Sequence, residues 1–365
     1  MKRAVVLLAL LLGMSCLVPV GGYYLALSVK NRDTAAAFRQ FITDAAGTEA
    51  ASLPDADTAE SQAAPPDSAS GEAPASSVPD EAGPELTVLV QDTSSGEVLQ
   101  VPLRDYVIGA VASEMPMTWA DAALQAQAVA VHTYVLYCRD HNDTASMDGA
   151  WLTADPARRQ GFMTDPVLRS YWGTSYEENY ARLSALVDQV LDTVVTYEGA
   201  PAATSYFAIS NGRTEASQNV WGQELPYLQG VDSAADKDAD GYSAVITYTD
   251  VQMSDALAAG LGITPGDQDP DAWFGSCTYT DAGYIRTIGV CGISVDGTAL
   301  RSALHLRSAC FSISHADGLF SITTYGYGHG VGLSQTGAQA MAESGSTWQE
   351  ILQHYFPGTE LSAAE

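Results

Sequence analysis

Val101–Tyr134 reads VPLRDYVIGAVASEMPMTWADAALQAQAVAVHTY, and its middle decides how the rest of the chain is read. Pro116 disfavours helix through Met115, so Glu114 stands at or near a helix end or turn. From about Trp119 to Arg139 the chain is rich in Ala, Leu and Gln, with Ala123, Ala126, Ala130 and Tyr134 near helical spacing. A carboxyl set among Val111, Met115 and Trp119 is partly desolvated, which raises its pKa and suits it to deliver a proton near neutrality. Taken alone, the same residue also reads as a surface glutamate at a helix end.

Working outward, Leu86–Leu103 alternates apolar and polar residues around Ser94-Ser95-Gly96 and predicts a hairpin. A short helix is expected over Leu103–Val111 and another over Tyr180–Leu191, running into a strand at Thr193–Tyr197. Further strands are expected at Tyr206–Ser210, Ala244–Tyr248, Ile285–Val290 and Leu319–Thr323, with short helices at Gln335–Glu343 and Thr347–Tyr355. Strands and helices mix without regular βαβ alternation, so the expected class is α+β. The expectation is one mixed domain over 86–365, with several antiparallel strands and a long helix after the acid.

Towards the start, Lys2 and Arg3 precede an apolar stretch over 4–27, long enough to span a bilayer at roughly 20 residues. The basic tip 1–3 favours the N-terminus inside and the domain outside, giving a single-pass membrane location. A cleaved signal peptide is the rival reading, which makes the domain secreted. The stretch 28–85 is acidic and rich in Ala, Ser and Pro, the composition of a disordered linker. A net charge of −28 spread along the chain excludes a duplex-binding surface, so no nucleic-acid partner is expected. Cys277 and Cys291 flank an expected hairpin turning at Asp281-Ala282-Gly283, where either a disulfide or two free thiols fits the spacing.

The chain's other dense motif is Tyr325–Leu361, YGYGHGVGLSQTGAQAMAESGSTWQEILQHYFPGTEL. Glycines around His329 permit unusual backbone angles and an exposed imidazole. Together with Ser113-Glu114-Met115-Pro116 it resembles the sporulation-protein-D domain family, over about Leu86–Leu361. The resemblance implies a lytic transglycosylase acting on peptidoglycan glycan strands stripped of stem peptides, during sporulation and engulfment. It makes Glu114 the catalytic acid. It also implies a substrate-binding set of His132, Tyr134, Ser210, Gly212, Thr214, Tyr327, His329, Ser334 and Gln335, and a peptidoglycan amidase or endopeptidase as partner. A non-catalytic wall-binding amidase enhancer is the alternative on the same fold.

The chain departs from the family pattern in two places. Relatives read Ala-Ala-Arg-Thr-Tyr where this chain reads Ala130-Val131-His132-Thr133-Tyr134, and His132 cannot supply a permanently charged bidentate fork. Some relatives carry a zinc site of His and Cys, whereas the matching stretch Thr153–Phe162 keeps none of those ligands. No metal and no cofactor is expected. Asp121 and Glu215 are candidates for a second carboxylate, and nothing in the sequence places either beside Glu114; that favours a reaction needing one acid over hydrolysis, which needs two.

Overall fold

A computed structural model of the chain describes residues 86–142 and 144–364. The stretches 1–3, 4–27 and 28–85 lie outside the described residues. The single-pass membrane location is corrected: among the described residues no helix is long and apolar enough to cross a membrane, and the segment on which that expectation rested is not among them.

The expected first hairpin forms from β1 (Thr87–Asp92) and β2 (Val98–Pro102), antiparallel in the register Val88↔Val101 and Val90↔Leu99. Val88 and Val90 point into the core and are fully buried. Helix α1 (Leu103–Glu114) starts directly after Pro102 and stops at Met115, whose backbone is extended as the following proline demands. Helix α2 (Asp121–His141) is buried on almost every side, and its run of alanines keeps it thin enough to be the central element of the main core. Strand β3 (Leu152–Ala154) joins β1 in parallel, and helices α3 (Asp165–Trp172) and α4 (Tyr176–Asp188) cover the next face.

Strands β4 (Thr193–Tyr197) and β5 (Ala200–Pro201) follow as a tight hairpin, and β4 rests on α2 through Val195 N–H donating to Thr133 Oγ1 at 2.9 Å. After β6 (Tyr206–Phe207) and the short helix α5 (Ser217–Trp221), the chain enters a lobe with its own apolar core. That lobe holds β7 (Ser243–Thr249), α6 (Asp250–Leu261), β8 (Phe274–Tyr279), β9 (Ile285–Val290), β10 (Ile293–Asp296), α7 (Gly297–Ala303), β11 (Phe311–Ala316) and β12 (Leu319–Tyr325). Its two antiparallel sheets run in the orders β11-β12-β7 and β10-β9-β8. The chain then returns as β13 (Leu333–Ser334), α8 (Gln335–Glu343), α9 (Trp348–Tyr355) and β14 (Glu360–Ala363).

The lobe is an insertion whose ends lie side by side. Tyr325 pairs with Ser243, Gly326 N–H donates to Tyr242 O at 2.7 Å, and Ile209 bridges to Tyr327. Strand β13 then pairs in parallel with β6, and β14 antiparallel with β4. Two motifs far apart in sequence therefore meet in the main core. The class is α+β, as the mixed pattern predicted.

Several elements were not marked by periodicity, among them β3, α3, α6, β10, α7, β11 and β14. For α6 a local signal was present: Thr249 and Gln252 form a reciprocal capping box. The predicted strand at Tyr206–Ser210 shortens to Tyr206–Phe207, because from Ile209 onward the backbone makes single bridges rather than a ladder. Cys277 sits opposite Ile288 rather than Cys291, and Cys138, Cys277, Cys291 and Cys310 are all free thiols.

The lobe is pinned by His315 on β11, whose ring nitrogens face Asp250 (2.7 Å) at the start of α6 and Asp271 (2.5 Å) on the turn before β8. The ring also packs on Phe320 with centroids 4.3 Å apart. The hydrogen bond to Asp271, followed by the hydrogen bond and charge of Asp250, raises the pKa of His315. A raised folded pKa means this clamp contributes fully below the ordinary histidine value and is lost as pH rises through the raised one. The expected result is that wild-type protein melts above His315→Gln at pH 6, with the gap closing towards pH 9. A gap independent of pH would show that the clamp acts through packing alone.

Candidate active site

Glu114 is the last residue of α1, and the loop behind it is held from two sides. Arg182 on α4 donates to the carbonyls of Met117 and Trp119, the latter at 2.7 Å, and pairs with Asp121 at 2.5 Å. From the opposite side Gln339 on α8 accepts the Ala120 N–H at 2.9 Å. The half-buried Glu114 side chain lies at a cleft of about 540 Å³, where the Gln335 amide donates to its Oε2 at 3.3 Å. Burial pushes its pKa up to about 7, against a smaller opposing effect of the Gln335 hydrogen bond. Near neutral pH this group both holds and releases a proton.

Gln335 owes its position to a buried carboxylate. Asp236, on a turn over 234–238, is fully buried and accepts from Ser334 Oγ (2.7 Å), Thr336 Oγ1 (2.6 Å) and the Ser210 N–H (2.9 Å). Ser334 is also the N-cap of α8. These contacts tie the start of α8 to the backbone at Ser210, beyond β6, with Gln335 between two anchored neighbours. Gly337 completes the packing, since a Cβ there would stand 2.0 Å from the Tyr355 hydroxyl and 2.4 Å from Ser233 Oγ.

Of the sequence-predicted binding residues, Gln335 is the one that lines the cleft with Glu114. His132 is buried on α2, and burial pulls its pKa down to about 4, leaving a neutral ring inside the core. Tyr134 is half-buried and stacks on Tyr137. Ser210 and Thr214 are fully buried and shape their own turn: Ser210 Oγ accepts the Gly212 N–H at 3.0 Å and Thr214 Oγ1 the Val231 N–H at 2.8 Å. Gly212 takes a positive φ of 108° beneath Lys237, where a side chain would collide. Tyr327 is buried with the Arg307 guanidinium over its ring at 4.4 Å. Ser334 is buried as the cap just described.

His329 packs between Phe207 and Trp221, and its Nδ1 accepts the Val331 N–H at 3.1 Å. Burial pulls its pKa down to about 3, so it is neutral. The glycines of Gly328-His329-Gly330 serve close packing: a Cβ at Gly328 would sit 2.6 Å from the Phe207 Cβ, and both glycines have positive φ. The imidazole is thus part of a brace rather than exposed as its glycine neighbours suggested.

The candidate second acids lie elsewhere as well. Asp121 is exposed and paired with Arg182, while Glu215 is enclosed by Ala216 N–H, Asn219 and the Thr280 hydroxyl. Sequence reasoning missed the acids that do line the cleft, Asp238, Asp240 and Glu343, along with Gln339. For two of these a signal was present, because Gln335, Gln339 and Glu343 recur every fourth residue and share one face of α8. Neither Asp121 nor Glu215 lines the cleft, and the three acids that border it with Glu114 are others that the sequence did not single out. Among the described residues, no cluster of His, Cys, Asp and Glu is arranged to hold a metal ion.

With this geometry in place, the relatives can be compared. The family pattern described as "Stage II sporulation protein" (SpoIID) matches residues 91–197. Stage II sporulation protein D of Bacillus subtilis (strain 168) is 34% identical over 281 residues, covering 77% of this chain and 80% of that protein. The chain belongs to the SpoIID family. Stage II sporulation protein D of Bacillus amyloliquefaciens is likewise 34% identical over 281 residues, covering 77% of this chain and 80% of that protein. The amidase enhancer of Bacillus subtilis (strain 168) is 25% identical over 70% of this chain and 40% of that protein.

The Asp236 brace is open to direct test. Asp236→Ala strips the buried Ser334 hydroxyl and Ser210 N–H of this acceptor, at roughly 1 kcal/mol or more for each, while the half-buried Thr336 hydroxyl keeps Ala208 O at 3.1 Å. Chemical denaturation should show a loss of about 2 kcal/mol, with Asp236→Asn, which keeps one carbonyl oxygen, falling between. Unchanged stability in both variants would contradict the brace.

Proposed function

We propose that this SpoIID-family protein is a lytic transglycosylase that cleaves the bond between N-acetylmuramic acid and N-acetylglucosamine in peptidoglycan glycan strands. The observation that carries this reading is one carboxyl group, Glu114, placed at a cleft with a pKa of about 7 and a neutral amide on one oxygen. Protonated, Glu114 gives its proton to the bridging oxygen, and the leaving sugar departs with the bonding pair. The same group, now a carboxylate, takes the proton of the muramic acid 6-hydroxyl as that oxygen bonds to C1. The product is a 1,6-anhydro sugar, the acid is restored, and no water is consumed. Gln335 holds the carboxyl in one orientation through both steps.

Asp238, Asp240 and Glu343 keep hydrolysis in view, since a second carboxylate could activate water. A non-catalytic amidase enhancer is a second reading, favoured by the relative of that name. One experiment separates the three. Protein spanning 86–365 is incubated with amidase-stripped peptidoglycan, beside Glu114→Gln, and the products are weighed by mass spectrometry. Anhydro-muramic ends, reduced at least about a hundredfold in the variant, are expected. Reducing ends instead would mean hydrolysis. No cleavage, with an added peptidoglycan amidase accelerated, would mean the enhancer.

A further inference from the structure

Trp119 stands five residues after Glu114 and lines the same cleft, yet the acid–base steps drawn for Glu114 give it no task. Among the described lining residues it is the one aromatic side chain. Its backbone is held at both ends: the Trp119 N–H donates to Pro116 O at 3.1 Å, and the Trp119 carbonyl accepts from Arg182 Nη2 at 2.7 Å. The indole packs against the main core but stays half-buried, and it contributes surface to the cleft. That apolar surface gains free energy when something apolar covers it. Elsewhere the lining is small, since Ala208, Ala235, Ala239 and Ala340 leave the space open. The cleft, at about 540 Å³, has the size of a small-ligand site, roughly 300–1,000 Å³.

The ligand class follows from the glycan-cleaving reading above, on which this inference rests. In a β-linked N-acetylhexosamine the ring substituents are equatorial, so both faces of the ring present axial C–H groups. Such a face is flat, apolar and slightly positive, and it matches the negative face of an indole. We propose that Trp119 is a platform on which one N-acetylhexosamine ring of the glycan strand stacks, beside the bond that Glu114 protonates. The loop after α1 then supplies a surface that positions the substrate, directly behind the acid that acts on it. Arg182 and the turn at Pro116 keep that surface in place.

The test uses full-length Glu114→Gln protein, so that binding is read without turnover. The probe is the tetrasaccharide of alternating N-acetylglucosamine and N-acetylmuramic acid from peptide-stripped peptidoglycan. The chain's six tryptophans give six indole N–H signals by NMR, and the one missing from Trp119→Phe belongs to Trp119. Adding the tetrasaccharide should shift that signal most. This shift is read on the intact tryptophan, so it stands even where a truncated variant loses stability. By calorimetry, the tetrasaccharide should bind about tenfold more weakly to Trp119→Ala and about threefold more weakly to Trp119→Phe. Trp172→Ala removes another half-buried indole that packs on the same core and lies outside the cleft lining, and it should leave the affinity unchanged. An unmoved Trp119 signal, an affinity untouched by Trp119→Ala, no binding at all, or an equal loss in Trp172→Ala would each overturn the proposal. Protein with Glu114 intact is then given peptide-stripped strands. Trp119-dependent binding with no cleavage leaves the platform standing and removes the glycan-cleaving reading. Cleavage that Trp119→Ala does not slow does the reverse.

Discussion

A single buried carboxylate, Asp236, holds together the part of this protein on which its chemistry depends. It joins the backbone at Ser210 to the first turn of α8 by three hydrogen bonds, and Gln335 stands between two of the residues so fixed. An isolated charge in a protein interior is costly unless its oxygens are satisfied, and here both are. The consequence is positional. Gln335 meets Glu114 because the neighbouring side chains have no freedom to place it elsewhere.

Glu114 gains its character from the same arrangement. Pro116 ends α1, and Arg182 and Gln339 hold the following loop by its backbone. The carboxyl is thereby kept out of bulk water without an ion pair, and desolvation outweighs the one hydrogen bond that favours its charged form. A salt bridge at this place would have fixed the group as a permanent carboxylate. The amide of Gln335 orients it while leaving both protonation states within reach.

Much of this frame was legible in the chain because it is written in local chemistry. The stop at Pro116, the alanine-rich central helix and the capped helices after Ser334 and Thr347 are each signalled within a few residues. Function was harder to place than fold. His132 and His329 look like site residues in a motif, yet His132 is buried in the core and His329 is half-buried between Phe207 and Trp221, and desolvation keeps both rings neutral. Ser210, Gly212, Thr214 and Ser334 are in the right neighbourhood but spend their polar groups on turns, caps and the Asp236 network. Conversely, Asp238 and Asp240 read as an unremarkable acidic run. They reach the cleft only because the inserted lobe begins just after them and returns beside its own start. No local pattern encodes that closure.

The central claim is that burial holds the Glu114 carboxyl near neutrality. It is tested most directly by infrared difference spectroscopy of wild-type protein against Glu114→Gln across pH 3 to 9. The account predicts a single carboxyl band that disappears in the variant and titrates with a midpoint of about 7. A midpoint near 4.5, the ordinary value for glutamate, would contradict it.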